Sequence, residues 1–146
     1  MATRADRVLA VAVGVVIIAA GVAAVAAARR GPADLDPDTP AGTVQTYLTA
    51  IVDGDLDSAA GLLAADSPCT VDDLELAYLP EGLRASLSSE QGASDTRVVV
   101  LVDITEGDTA FAEGWSHEER FVVVRDGGEW RLSGAPWPMY SCMRQE

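Results

Sequence analysis

Few residues in this 146-residue chain have the types that catalysis or metal binding needs, and their spacing narrows them further. Cys69 and Cys142 are the only cysteines and His117 the only histidine, too few for a four-ligand Cys/His metal site, and no such cluster is expected. A reactive thiol wants a nearby cation to lower its pKa, and Arg144 is the one candidate close in sequence. The better expectation is a Cys69–Cys142 disulfide, which an exported compartment would permit. It would close a loop of about 74 residues and stabilise the fold by roughly 4 kcal/mol on the chain-entropy account.

Asp34, Asp36 and Asp38, and again Asp53, Asp55 and Asp57, alternate as calcium-loop ligands do. An EF-hand also needs Gly at its sixth position and Glu at its twelfth; here these are Thr39 and Gln45, then Ser58 and Ala64. Linker charge and helix capping account for both runs, and neither a metal nor a cofactor is expected. Acid–base work by paired carboxylates would need one of them held in an apolar setting. Asp103 and Glu113 lie within otherwise apolar strands; alternation sends Asp103 to solvent, while Glu113 shares a face with Phe111 and Trp115. His117, in SHEER at a strand edge, reads as a hydrated turn residue. Tyr47, Phe111, Glu113, Trp115 and Trp130 form the candidate pocket for an apolar ligand. In the competing reading these aromatic residues simply fill the core.

Charge removes another class of function. There is no lysine and no asparagine, as a GC-rich bacterial genome would favour. Beyond Arg30 the chain carries 22 acidic residues against 6 arginines, a formal charge of −16 for that part. Nucleic acid and anionic head groups need clustered cations, so nucleic-acid binding is not expected.

The N-terminus carries the strongest pattern. Residues 8–28 are 21 consecutive uncharged, almost wholly apolar positions, VLAVAVGVVIIAAGVAAVAAA, with Arg4 and Arg7 before and Arg29 and Arg30 after. As a helix the stretch is about 31 Å long, close to the roughly 30 Å hydrocarbon core, so a transmembrane signal anchor is expected. AVA and AAA near residue 28 keep open secretion after signal cleavage, although the apolar run exceeds the usual signal length. No cysteine near this boundary could carry a lipid. Arginines tie at two per side, and only the terminal amine favours a cytoplasmic N-terminus (1–7) with the C-terminal domain outside. The small-residue stripe Ala10, Gly14, Gly21 and Ala24 could pair two anchors into a homodimer.

Residues 29–38 are an acidic, proline-rich linker, and the domain follows over 39–142, with 143–146 as a tail. Thr39 as N-cap and Pro40 at the first helical position open a helix with Val44, Tyr47, Leu48, Ile51 and Val52 on its apolar stripe; Gly54 ends it. A second helix starts after Asp55 or Asp57 and buries Leu56, Ala59, Ala60 and Leu63. A third follows Thr70, with Asp73 set as in a capping box, and buries Val71, Leu74 and Tyr78. Residues 83–90 read as one more short turn and SSEQGASD as loop. RVVVLVDIT, TAFAEGWSH and the hairpin ERFVVVRDGGEWRLSG then have strand periodicity. Whether the hairpin turns at Asp126-Gly127 or Gly127-Gly128, Phe121, Val123, Trp130 and Leu132 share a face. In GAPWPMYSC, Pro136 and Pro138 end the last strand, and the extended path would bring Cys142 to Cys69 with Trp137 and Tyr140 packing beneath. The fold class is α+β, about three helices packed on an antiparallel sheet.

TVQTYLTAIVDGDLDSAAGLLA, with the late ERFVVVRDGGEWRLSGAPW, resembles the nuclear transport factor two-like superfamily of cystatin-like fold over nearly all of 39–142. The resemblance implies a cone of helices and strongly curved sheet. Superfamily members include ketosteroid isomerases, polyketide cyclases and many non-catalytic proteins. In layout the chain is most similar to membrane-anchored exported members of actinobacterial type, such as mycobacterial cell-entry associated proteins, and to periplasmic scaffold parts of conjugation machines. This implies a non-catalytic binding or scaffold module with an envelope protein as partner. A carrier of a small apolar ligand and a small isomerase or cyclase are the alternatives.

Overall fold

The computed structural model describes residues 33–80, 82–107 and 114–142. The expected anchor and its homodimer stripe, together with Phe111 and Glu113, lie outside them. Among the described residues no helix is long and apolar enough to cross a membrane.

Helix α1, Pro40–Asp53, begins where Thr39 takes an extended conformation and its hydroxyl oxygen accepts the Gly42 N–H at 3.1 Å. It ends at Gly54, whose left-handed φ of 75° suits a residue without Cβ. Val44, Tyr47, Leu48 and Ile51 face the core, whereas Val52 is exposed. Eight positions on from Val44, Val52 is rotated roughly 80° around the helix and sits at the edge of the stripe. Helix α2, Leu56–Ala60, is capped by the Asp55 carboxylate, which accepts the Ser58 N–H at 3.2 Å. It is shorter than the apolar pattern implied, because Leu63 leaves it to bridge Leu132 in parallel. Helix α3, Val71–Glu75, is opened by Asp73, whose Oδ2 accepts from the Thr70 N–H and hydroxyl at 2.8 and 2.9 Å. It buries Leu74 but stops before Tyr78, which is exposed rather than packed.

Four antiparallel strands follow in sequence order: β1 Arg84–Ser94, β2 Arg97–Glu106, β3 Trp115–Asp126 and β4 Glu129–Ser133. Strand β1 corrects the reading of 83–94 as turn and loop. It is an edge strand, mostly exposed, whose polar residues follow no alternation, and backbone pairing with β2 holds it through two register shifts. The β3–β4 turn is Gly127-Gly128, with Asp126 opposite Glu129 and φ angles of 61° and 91°.

Val100, Val102 and Ile104 of β2, Phe121 and Val123 of β3 and Leu132 of β4 form the inner face. Against it lie α1, Leu74 of α3 and the tail, of which Trp137 and Met139 are buried. Residues 62–64 extend the sheet beyond β4, with Ala64 N–H donating to Leu132 and Leu132 N–H to Leu62, both at 2.8 Å. On β1, Glu90 faces inward and accepts the Ala41 N–H at 2.9 Å, satisfying a free donor of the first turn of α1. Cys69 and Cys142 are joined as a disulfide with their Cα atoms 5.3 Å apart, and the last residues before it, Tyr140–Cys142, form one 3₁₀ turn.

Candidate functional site

The inner face of the sheet is apolar over its middle and carries titratable side chains at one end. On β3 the residues inward of the pleat run Val123, Phe121, Glu119, His117 and Trp115, so the face changes character after Phe121. The matching inward positions of β2 are Val98, Val100, Val102, Ile104 and Glu106, with Glu106 opposite Trp115. Strand pairing therefore gathers Glu106, Trp115, His117 and Glu119 at one rim of the sheet.

His117 stands at the centre. Its side chain is only 17% exposed, and Nε2 lies 3.0 Å from Glu119 Oε1 and 3.9 Å from Glu106 Oε1. The hydrated turn position expected for it is corrected: it sits within β3, facing inward. Trp115 stacks on the imidazole, with ring centroids 4.4 Å apart and planes inclined by 25°, while the indole remains 66% exposed. The other imidazole nitrogen, Nδ1, is buried and has no hydrogen-bond partner among the described residues. With Nε2 beside a carboxylate acceptor, a neutral ring carries its proton on Nε2 and leaves Nδ1 as an acceptor without a donor.

Tyr140 completes the rim from the other end of the chain. Its hydroxyl donates to Glu119 Oε1, the same oxygen that faces His117. The disulfide two residues later holds the 3₁₀ turn in place, so the latch at Cys142 also positions this phenol. Burial of the hydroxyl, the hydrogen bond to Glu119 and the negative charges of Glu119 and Glu106 push the phenol above its ordinary range. The ring is otherwise half-exposed.

Of the residues singled out in the sequence, the described ones, Tyr47, Trp115 and Trp130, lie apart from one another. Tyr47 is fully buried, donates to the Trp137 carbonyl at 3.0 Å and packs edge-on to Phe121 at 6.2 Å, so it fills the core. Trp130 lies towards the opposite end of β3, under the Arg125 guanidinium at 4.3 Å. There it helps line an open surface cleft of about 530 Å³, with Pro37, Thr43, Leu62 and Arg131 among its walls. Asp103 is exposed on the outer face. Among the described residues no three His, Cys, Asp or Glu side chains are placed to hold a metal ion.

Two members of the rim were within reach of sequence reasoning. Counting back by twos from Phe121 puts Glu119 and His117 on the inner face, a phase that the polar run SHEER conceals. Tyr140 had no such signal, because only the folded tail brings it to Glu119.

No protein-family model matches the sequence, and no curated protein matches it. Solved structures do resemble it. A putative calcium/calmodulin-dependent protein kinase type II association domain from Thiobacillus denitrificans superposes with a TM-score of 0.53 at 16% identity, over 66% of this chain and 90% of that one. A ketosteroid isomerase-like protein from Erwinia carotovora atroseptica gives 0.50 at 15% identity, over 65% and 88%. A nuclear transport factor two-like protein of unknown function from Shewanella oneidensis gives 0.48 at 14%, over 63% and 89%. At these identities the likeness is one of fold alone: the α+β arrangement of helices and antiparallel sheet is shared with the first two of these proteins.

Proposed function

We propose that the chain is a membrane-anchored, extracytoplasmic binding or scaffold module of the cell envelope, and that its rim at Trp115 and Tyr140 makes the contact. One observation carries this reading. The interior is occupied by the protein's own side chains, Tyr47, Ile51, Ile104, Phe121, Leu132 and Met139 being fully buried, while two aromatic side chains stand exposed beside half-buried carboxylates. Tryptophan and tyrosine are enriched at interfaces, where the ring is covered by a partner and the polar end finds a hydrogen bond. The apolar run at 8–28 supports the tether, and the disulfide supports an oxidising compartment.

Two measurements test the proposal. A reporter enzyme active only outside the cytoplasm, fused after residue 38, should be active; an inactive fusion at normal expression would remove the extracytoplasmic assignment. A photo-reactive amino acid at position 115 should give a discrete cross-linked adduct in native membranes, and the same probe at position 118, on the outer face, should not. Equal labelling from both positions, or none from 115, counts against a binding rim.

A second reading draws on the same geometry. Tyr140 donates a hydrogen bond to Glu119, and the same Glu119 oxygen lies 3.0 Å from His117 Nε2, a row of three titratable groups such as a small isomerase or cyclase would need. In that reading Glu119→Gln abolishes turnover of whatever substrate is found, whereas a variant that turns over normally excludes it.

A further inference from the structure

We propose that the rim of Trp115, Glu106, Glu119 and Tyr140 is a docking site for an arginine side chain presented by a partner protein. The inference rests on the binding-module reading and names the chemistry of the partner. It starts from charge. The chain beyond Arg30 has 22 acidic residues and 6 arginines, and the rim concentrates two carboxylates whose side chains are only 16% and 25% exposed. The ion pairs described for Glu106 and Glu119 are both with His117, so two carboxylates share one imidazole. Even a protonated imidazole leaves the rim with a net negative charge.

Arg120, Arg125 and Arg131 do not supply the missing cation. Arg120 is the neighbour of Glu119 in sequence, but alternation turns it to the outer face, opposite Leu101 and away from the rim. Arg125 lies over Trp130 towards the far end of β3, and Arg131 pairs with Glu129.

The aromatic groups select the kind of cation. His117 covers one face of the Trp115 indole, and the indole as a whole is two-thirds exposed. Tryptophan is the best ring for a cation, and a guanidinium can stack flat on it while its N–H groups reach a carboxylate. Glu106 is paired with Trp115 across the strands, which places a carboxylate beside that ring. A guanidinium lying on the indole would therefore find both a flat surface and an acceptor, with the Tyr140 ring at the margin.

The test uses the full chain in neutral-detergent micelles and two blocked peptides, Gly-Ser-Arg-Ser-Gly and its citrulline counterpart, in which the guanidinium is replaced by an uncharged isostere. The arginine peptide should shift the NMR signals of β3 around 115–119 and bind at least about ten-fold more tightly than the citrulline peptide. Glu119→Gln and Glu106→Gln should each weaken it about five-fold or more, and Trp115→Ala likewise. Glu118→Gln removes the same charge from the exposed outer face and should change affinity less than about two-fold. Should Glu119→Gln fail to fold, Glu106→Gln carries the comparison. Equal binding of the two peptides, no binding of the arginine peptide, or equal losses in Glu118→Gln and Glu106→Gln would each overturn the proposal. A discrete adduct at position 115 combined with no arginine preference would leave the binding module standing and remove only the arginine.

Discussion

The Tyr47 hydroxyl donates to the Trp137 carbonyl at 3.0 Å, joining the middle of the first helix to the proline-flanked tail across 90 positions of sequence. Both groups are buried, so each depends on the other for its hydrogen bond. Tyr47→Phe preserves the ring and leaves the carbonyl unsatisfied, which should cost about 1–3 kcal/mol. Tyr47→Ala also opens a cavity beside Phe121 and should cost about 3–5 kcal/mol. Urea unfolding midpoints at constant slope measure both, and a Phe variant as stable as the parent would show that the carbonyl finds another donor.

Gly42 lies inside α1, where alanine is ordinarily the better residue by about 1 kcal/mol. Here a Cβ would run into the backbone carbonyl of Asp36, which cannot swing aside as a long side chain would. Gly42→Ala should therefore destabilise the fold by about 1–3 kcal/mol, the reverse of helix propensity. A thermal midpoint raised by the substitution would refute the close approach.

The Cys69–Cys142 bond spans 73 positions, so replacing both cysteines with serine should cost about 4 kcal/mol through the freedom returned to the unfolded chain. The same variant should loosen the 3₁₀ turn that carries Tyr140 and detach its hydroxyl from Glu119. Denaturant unfolding reads the first effect. The second appears as a fall in the Tyr140 ionisation range under conditions where the variant is still folded.

Tyr47 and Tyr140 both have phenols pushed above the ordinary range, Tyr47 by burial and Tyr140 by burial together with Glu119 and Glu106. A group that holds its proton more tightly when folded contributes its full stability below the unfolded pKa. That contribution falls as pH rises through and beyond about 10, the usual tyrosine value. Unfolding midpoints should thus drop above about pH 10. The tyrosinate absorbance of these two residues should appear late or together with unfolding. Glu119→Gln removes one carboxylate charge and should bring Tyr140 down without moving Tyr47. Ionisation of both phenols in the ordinary range while the protein remains folded would contradict the geometry.

Local pattern in the sequence was sufficient for the parts of the fold with local causes. Thr39-Pro40 opens α1 and Gly54 closes it because capping and left-handed backbone act within a few residues. The β-branched run of β3, the alternation of Trp130 and Leu132 in β4 and the glycine pair at 127–128 specify the β3–β4 hairpin and its inner face by the same short-range rules. Strand β1 escaped because a polar edge strand is held by backbone hydrogen bonds that leave no mark in side-chain periodicity.

The rim was decided otherwise. The residue types at 106, 115, 117 and 119 are written in the chain, but what makes them one site is the register that sets Glu106 opposite Trp115 and Ile104 opposite His117. Tyr140 arrives only through a disulfide and a buried tail. The Cβ barred from Gly42 likewise depends on where Asp36 lies in space. Composition and spacing determined a charged α+β domain behind an apolar N-terminus, because those properties follow from short-range chemistry, and the count of two cysteines left only one intrachain disulfide to form. Which polar groups meet was settled by tertiary structure, since pairing and packing join residues whose separation along the chain carries no record of their distance.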